Sequence, residues 1–137
     1  FGLALSKKTK PRSVVSLLAK IIHIQNVKPG CSIGYGATYL TKRKKTIATL
    51  AIGYADGLPR NYDGYGIIKK KKARFVGKIS MDLSCIDITN IPKVKVNDWV
   101  EIFGDNFSVF NFANICKTIT YEISTHIGSR AKRYYNF

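Results

Sequence analysis

Acidic side chains are scarce in this sequence. Eight Asp and Glu face 23 Lys and Arg across 137 residues, a formal charge of +15. Cysteine is scarcer still. Cys31, Cys85 and Cys116 are too few and too scattered for a disulfide framework or a CxxC metal site, so they read as small core hydrophobes in a reducing cytoplasm. The two histidines, His23 and His126, are far apart and read as structural or surface residues, and no metal cluster is expected. Long apolar runs are missing too. The longest, such as Ile47 to Tyr54, are strand-sized, well short of the roughly 18–20 residues of a membrane helix. A secretory signal is not expected, because Lys7, Lys8 and Lys10 interrupt the first apolar residues at once. The chain opens on Phe1 and has Met81 as its single methionine, so it reads as a fragment of a longer polypeptide.

Hydrophobic residues make up 45% of the chain, which argues against disorder, and the length suits one domain. Short stretches rich in Val, Ile, Phe and Tyr predict strands over Val14 to Val27, Thr46 to Tyr54, Gly66 to Ile68 and Ala73 to Ile79. Others follow over Leu83 to Ile88, Trp99 to Phe103 and Ala131 to Tyr135. Turn residues separate them, as in Lys28-Pro29-Gly30 and Asn61-Tyr62-Asp63-Gly64. One helix is expected over Ser108 to Cys116, where Val109, Phe112, Ala113 and Cys116 follow the i, i+3, i+4, i+7 spacing, with Ser108 as N-cap. A second helical turn is expected over Tyr121 to Ile127. The pattern predicts an all-β, small barrel-like domain of about seven to nine strands with one or two short helices near the C-terminus.

The basic residues gather at Lys7-Lys8-Lys10-Arg12, Lys42 to Lys45, Lys69 to Lys72 with Arg74, and Arg130-Lys132-Arg133. Such clusters could bind nucleic acid or an anionic surface. They fall at predicted turns, with no recognition motif beside them, so solvated loops are the simpler account.

Chemistry is suggested instead by glycine and tyrosine woven into irregular stretches. Gly34-Tyr35-Gly36-Ala37-Thr38-Tyr39 sets a tyrosine between two glycines, and Gly53-Tyr54-Ala55-Asp56-Gly57-Leu58-Pro59-Arg60 runs off a strand end. Glycine there lets backbone bend or approach a neighbour closely. Two further stretches are Val76-Gly77-Lys78-Ile79-Ser80-Met81-Asp82 and Thr120-Tyr121-Glu122-Ile123. These, with Val96-Asn97-Asp98-Trp99-Val100 and the ending Arg130-Ala131-Lys132-Arg133-Tyr134, in this order, resemble the C-terminal domain of alanine racemase, a pyridoxal-phosphate enzyme. The likeness runs from Gly2-Leu3 to Tyr134.

The resemblance implies an all-β fold and a set of roles. Tyr35 matches the catalytic base that handles the α-proton of L-alanine, while a lysine that carries the cofactor serves the opposite face. Racemisation takes a proton from one face of Cα and returns it to the other, with the pyridoxal ring as electron sink. Tyr54 matches a substrate-binding position, and Met81 one whose backbone amide meets the substrate carboxylate. Arg60, Lys78 and Asp82 fall on the substrate entryway, with Asp82 also ordering its loop. Tyr121 matches a tyrosine whose hydroxyl meets the cofactor phosphate. Arg130 and Arg133 are expected to be structural or interface residues.

Two departures from the family pattern stand out. Lys78 replaces the usual arginine, keeping charge but losing the planar fork. Asn97 replaces a glycine, a mild change because Asn tolerates positive φ. The cofactor-bearing lysine belongs, in the family, to an N-terminal TIM-type barrel for which 137 residues leave no room. The chain is therefore expected to work with its own barrel domain and a second subunit in a head-to-tail homodimer. It would supply D-alanine for cell-wall precursors in the bacterial cytoplasm. Pyridoxal 5'-phosphate is expected in the full-length enzyme and not in this fragment, which alone should be inactive. No membrane partner is expected. The alternatives are a basic all-β module that binds nucleic acid or an anionic surface, and a decayed or split-gene product.

Overall fold

Residues 13–135 are described by the computed structural model. The alternation in Leu17–Val27 buries Ala19, Ile21 and Val27 and produces the longest strand, β1. It is followed by β2 (Ser32–Ile33), β3 (Tyr39–Leu40), β4 (Lys45–Leu50), β5 (Tyr65–Ile68), β6 (Lys71–Phe75), β7 (Ser84–Asp87) and β8 (Trp99–Phe103). Two helices end the fold, α1 (Val109–Ile115) and α2 (Thr120–His126). Six strands close an antiparallel barrel in the order β1-β4-β7-β6-β5-β8, while β2 and β3 form a separate hairpin. This is the all-β barrel with two short C-terminal helices that the sequence predicts.

Strand β1 closes the barrel because it serves two partners. Leu17 to Lys20 pair with β8 and Ile21 to Val27 with β4, with a bulge between Ile21 and His23. A bulge bends and twists a strand, which a closed sheet requires. At the handover the Asn97 amide donates to the Ile21 carbonyl at 2.8 Å, and Asn97 itself adopts φ 74°. Asparagine is one of the few non-glycine side chains that tolerate this left-handed conformation.

Inward-facing Ala19, Ile21, Ala48, Leu50, Ile86, Val100 and Ile102 fill the lumen. Helix α1 seals it with Phe112, whose ring lies 4.6 Å from Tyr62 and 5.4 Å from Phe103. The helix starts where expected, with the Ser108 hydroxyl accepting from the Asn111 amide at 3.2 Å. Tyr62 donates its hydroxyl to the Tyr65 carbonyl, and burial pushes its pKa well up, so it is a neutral core phenol.

A second small cluster, Val27, Ile33, Ile47 and Val76, packs under the β2–β3 hairpin and anchors it to the barrel wall. Buried Ile33 is the last fixed point before the Gly34-Tyr35-Gly36 loop.

Several expectations need correction. Residues 131–135 form no strand; residues 132–135 lie exposed, and the β1–β8 pairing closes the barrel without them. The predicted strands over Thr46 to Tyr54 and Ala73 to Ile79 end early, at Leu50 and Phe75, where the chain turns into the glycine-bearing loops. Cys31 is exposed on the hairpin, not in the core. The other two cysteines fit better. Burial raises both thiols, Cys116 to about 11, so neither is a thiolate near neutrality. His23 and His126 are both exposed. Two of the basic clusters do lie at turns; Lys69 and Lys70 form the β5–β6 turn with φ of 48° and 62°. The cluster at Lys7 to Arg12 falls outside the described residues. Among those, no helix is long and apolar enough to cross a membrane.

Candidate active site

The segment from Gly77 to Asp82 is the meeting point of the glycine–tyrosine loops. Gly34 and Gly77, both at positive φ, cross backbone to backbone. A Cβ on Gly34 would lie 2.8 Å from the Gly77 Cα, and one on Gly77 would lie 2.5 Å from the Ile33 carbonyl oxygen. Only glycine at both positions permits this approach. It allows the Tyr35 amide to donate to the Lys78 carbonyl at 3.3 Å and the Lys78 amide to donate to the Thr38 hydroxyl at 3.1 Å. Tyr35 is thus held by its backbone while its side chain is 64% exposed. The Arg60 guanidinium lies 5.8 Å from the Tyr35 ring centroid, within cation–π range.

Two residues further on, the same segment takes up the second loop. Tyr54 to Asp56 form a single 3₁₀ turn whose Tyr54 and Ala55 amides donate to the Ser80 and Met81 carbonyls, each at 3.0 Å. Gly53 enters this turn with no room for a side chain, since a Cβ would lie 2.2 Å from the Met81 oxygen. The Asp56 carboxylate folds back to accept from the Gly53 amide at 2.9 Å. Ser80 tightens the Met81 turn, its hydroxyl donating to the Leu83 carbonyl at 2.9 Å. Met81, Asp82, Lys78 and Arg60 are exposed along this end of the barrel.

The C-terminal helix docks at the same place. Gly57, at φ 100°, lies so close that a Cβ would meet the His126 carbonyl oxygen at 2.5 Å. Beyond the helix, the Arg130 Nε lies 3.2 Å from Asp56 and its Nη2 lies 2.6 Å from Asp82. The Asp82 hydrogen bond and the Asp56 charge together raise the Arg130 pKa further above its ordinary value. An open groove is lined by Tyr54, Gly57, Leu58, Pro59, Arg60 and His126. Tyr121 is half-exposed on α2, five residues before His126.

Tyr35, Tyr54, Arg60, Lys78, Met81 and Asp82, chosen from three separate stretches, therefore share one network of backbone pairings and ring contacts. Tyr121 lies on α2, the helix whose last residue, His126, packs against Gly57. Sequence reasoning passed over Asp56, although its position three residues after Gly53 is a turn-capping spacing. Arg130 is expected from the sequence to be a structural or interface residue, and its two carboxylate partners lie 74 and 48 residues away, beyond any local pattern.

Residues 14–135 match the family described as alanine racemase, C-terminal domain. The alanine racemase of Rickettsia bellii is 44% identical over 135 residues, covering 95% of this chain and 33% of that protein. The Rickettsia typhi alanine racemase is 44% identical over 125 residues, covering 88% of the chain and 31% of the relative. Among solved structures, the Bartonella henselae alanine racemase with covalently bound pyridoxal phosphate superposes with a TM-score of 0.91 at 34% identity, covering 96% of this chain and 37% of that one. The biosynthetic alanine racemase of Pseudomonas aeruginosa gives 0.84 at 35% identity, covering 89% of this chain and 35% of that one. The chain spans about a third of the length of the curated relatives it matches. With its barrel, its crossing glycines and its tyrosine loops in the family's order, the chain belongs to the alanine racemase family and carries the family's C-terminal domain.

Proposed function

We propose that this chain is the domain of an alanine racemase that brings a tyrosine base and substrate-contacting groups to the interconversion of L- and D-alanine. The observation that carries the reading is Tyr35. Its backbone is fixed by the Gly34–Gly77 crossing, its phenol is exposed, and Met81 lies three residues beyond its Lys78 partner.

The exposure of the phenols bears on the cofactor. Tyr35, Tyr54 and Tyr121 are 64%, 42% and 53% exposed, so they face out from this domain, not into a cavity of it. Such a donor set fits pyridoxal phosphate held between this surface and another domain, with the Tyr121 hydroxyl as the contact this chain offers its phosphate. When bound, the cofactor supplies the electron sink that makes the Cα proton of alanine removable.

The remaining roles belong to this chain's own residues. The Tyr35 Oη takes the proton from one face of Cα or returns it there, and a base on the other domain serves the opposite face. The Met81 amide holds the substrate carboxylate, and Tyr54 narrows the approach. Arg60, Lys78 and Asp82 line the path, and Arg60 also lies beside the Tyr35 ring. The cofactor-bearing barrel domain and a second subunit in a head-to-tail dimer complete the site in the cytoplasm, where the product supplies cell-wall precursors. The chain by itself does not racemise alanine.

The test uses the full-length racemase that carries this domain. Tyr35→Phe is expected to reduce L-to-D turnover by about 100-fold or more, the usual worth of a general base. Turnover within a factor of two of wild type would overturn the assignment.

A further inference from the structure

Arg130 joins two exposed turns that the chain reaches far apart in sequence. Its guanidinium spans Asp56, at the end of the Tyr54 turn, and Asp82, next to Met81. These are two of only eight acidic residues in the chain. The same two turns are already joined by the Tyr54 and Ala55 amides, which donate to Ser80 and Met81. Arg130 thus closes a loop of contacts in which Tyr54, Met81 and the segment after α2 fix one another. Two nitrogens of one planar fork, Nε and Nη2, are used on two different carboxylates, an arrangement that a lysine ammonium on its single stem does not reproduce.

We propose that Arg130 is a positioning residue: by clamping Asp56 and Asp82 it sets the distance between the Tyr54 side chain and the Met81 amide, and so the fit of the substrate carboxylate. This rests on the function proposed above. The clamp is half exposed, with 51% of the Arg130 side chain accessible. Ion pairs in such places contribute little to stability, so its effect lies in geometry. Substrate alignment is sensitive at the scale of an ångström, which is the scale on which a lost clamp would let two turns drift.

The experiment compares Arg130→Lys and Arg130→Met with wild type in two arms. In the first, amide hydrogen exchange is followed on this chain. Both variants are expected to speed exchange of the Tyr54 and Ala55 amides about tenfold and leave the β4 and β7 amides unchanged, because local opening is independent of the barrel. Unchanged exchange at Tyr54 and Ala55 would overturn the clamp. In the second, steady-state kinetics are measured on the full-length racemase. KM for alanine is expected to rise about tenfold with kcat within threefold, and lysine should rescue no better than methionine. A loss in kcat alone, or full rescue by lysine, would overturn the positioning role and leave a charge effect in its place. A wild-type enzyme with no racemase activity would instead sink the proposed function, while the exchange arm would still decide the clamp.

Discussion

Along the β4–β7 wall, four successive register pairs run from Ile47↔Asp87 to Leu50↔Ser84, with Ala48, Leu50 and Ile86 wholly buried between them. At the loop end, residues 34–38, 53–57 and 77–82 are held differently: by glycines that leave no room for a Cβ, by single backbone hydrogen bonds and by one arginine. The wall is redundant, since ladder bonds run along it and its inward-facing residues are fixed by burial as well. The loop end has little redundancy. Each of its contacts sets where one exposed side chain stands, so a small change there should move function more than stability, and the reverse should hold for the wall and its plug.

The sharpest test of that contrast is at the plug. Phe112→Ala removes the ring that seals the lumen against Tyr62 and Phe103, and should cost about 3–5 kcal/mol of stability, measured by urea unfolding of the chain. A cost below about 1 kcal/mol would mean that α1 does not complete the core. Next in size is Gly53→Ala, whose added methyl would meet the Met81 carbonyl at 2.2 Å. It should cost about 1–3 kcal/mol, and in the full-length enzyme it should lower kcat/KM by more than that stability loss explains. If stability and kcat/KM fell in proportion, the loop end would be no more functional than the core.

The smallest effect expected is on the wall itself, where Lys45 on β4 pairs with Asp87 on β7. The Asp87 hydrogen bond raises the Lys45 pKa. Burial pushes Asp87 up, but hydrogen bonds from Lys45 and Thr89 outweigh it and hold the carboxyl below its usual value. The depressed Asp87 contributes stability that is present above its unfolded pKa and lost as pH falls through the lower folded one. The raised Lys45 contributes stability present below its unfolded pKa and lost as pH rises through the higher folded one. Asp87→Asn should therefore cost about 1–2 kcal/mol across the neutral range and flatten the acid limb of the stability profile. An unchanged acid limb would show that the pair does not contribute.

Much of the barrel was legible because its strands carry their own signal. β-branched and aromatic stretches between turn residues gave six of the eight strands, and α1 was marked by its cap and its apolar spacing. The two-residue strands β2 and β3 were not legible, being too short for an alternation. Residues 131–135 misled for the opposite reason: Tyr134 and Tyr135 have strand composition, yet they lie 76% and 72% exposed and form no strand. In the site, tyrosines framed by glycine were visible as a motif. Asp56 was passed over and the partners of Arg130 were not legible, because a carboxylate or guanidinium at a loop end has no periodicity.

The sequence by itself determined the barrel's strands, the family and the glycine–tyrosine stretches that hold Tyr35, Tyr54 and Met81, since propensity, spacing and motif order are local properties of the chain. Only the tertiary structure decided which of these stretches touch. Gly34 needs Gly77, Gly53 needs Met81, and Arg130 needs both Asp56 and Asp82. Each of these is a steric or electrostatic fit between segments distant in sequence, and such a fit exists only once the barrel has closed.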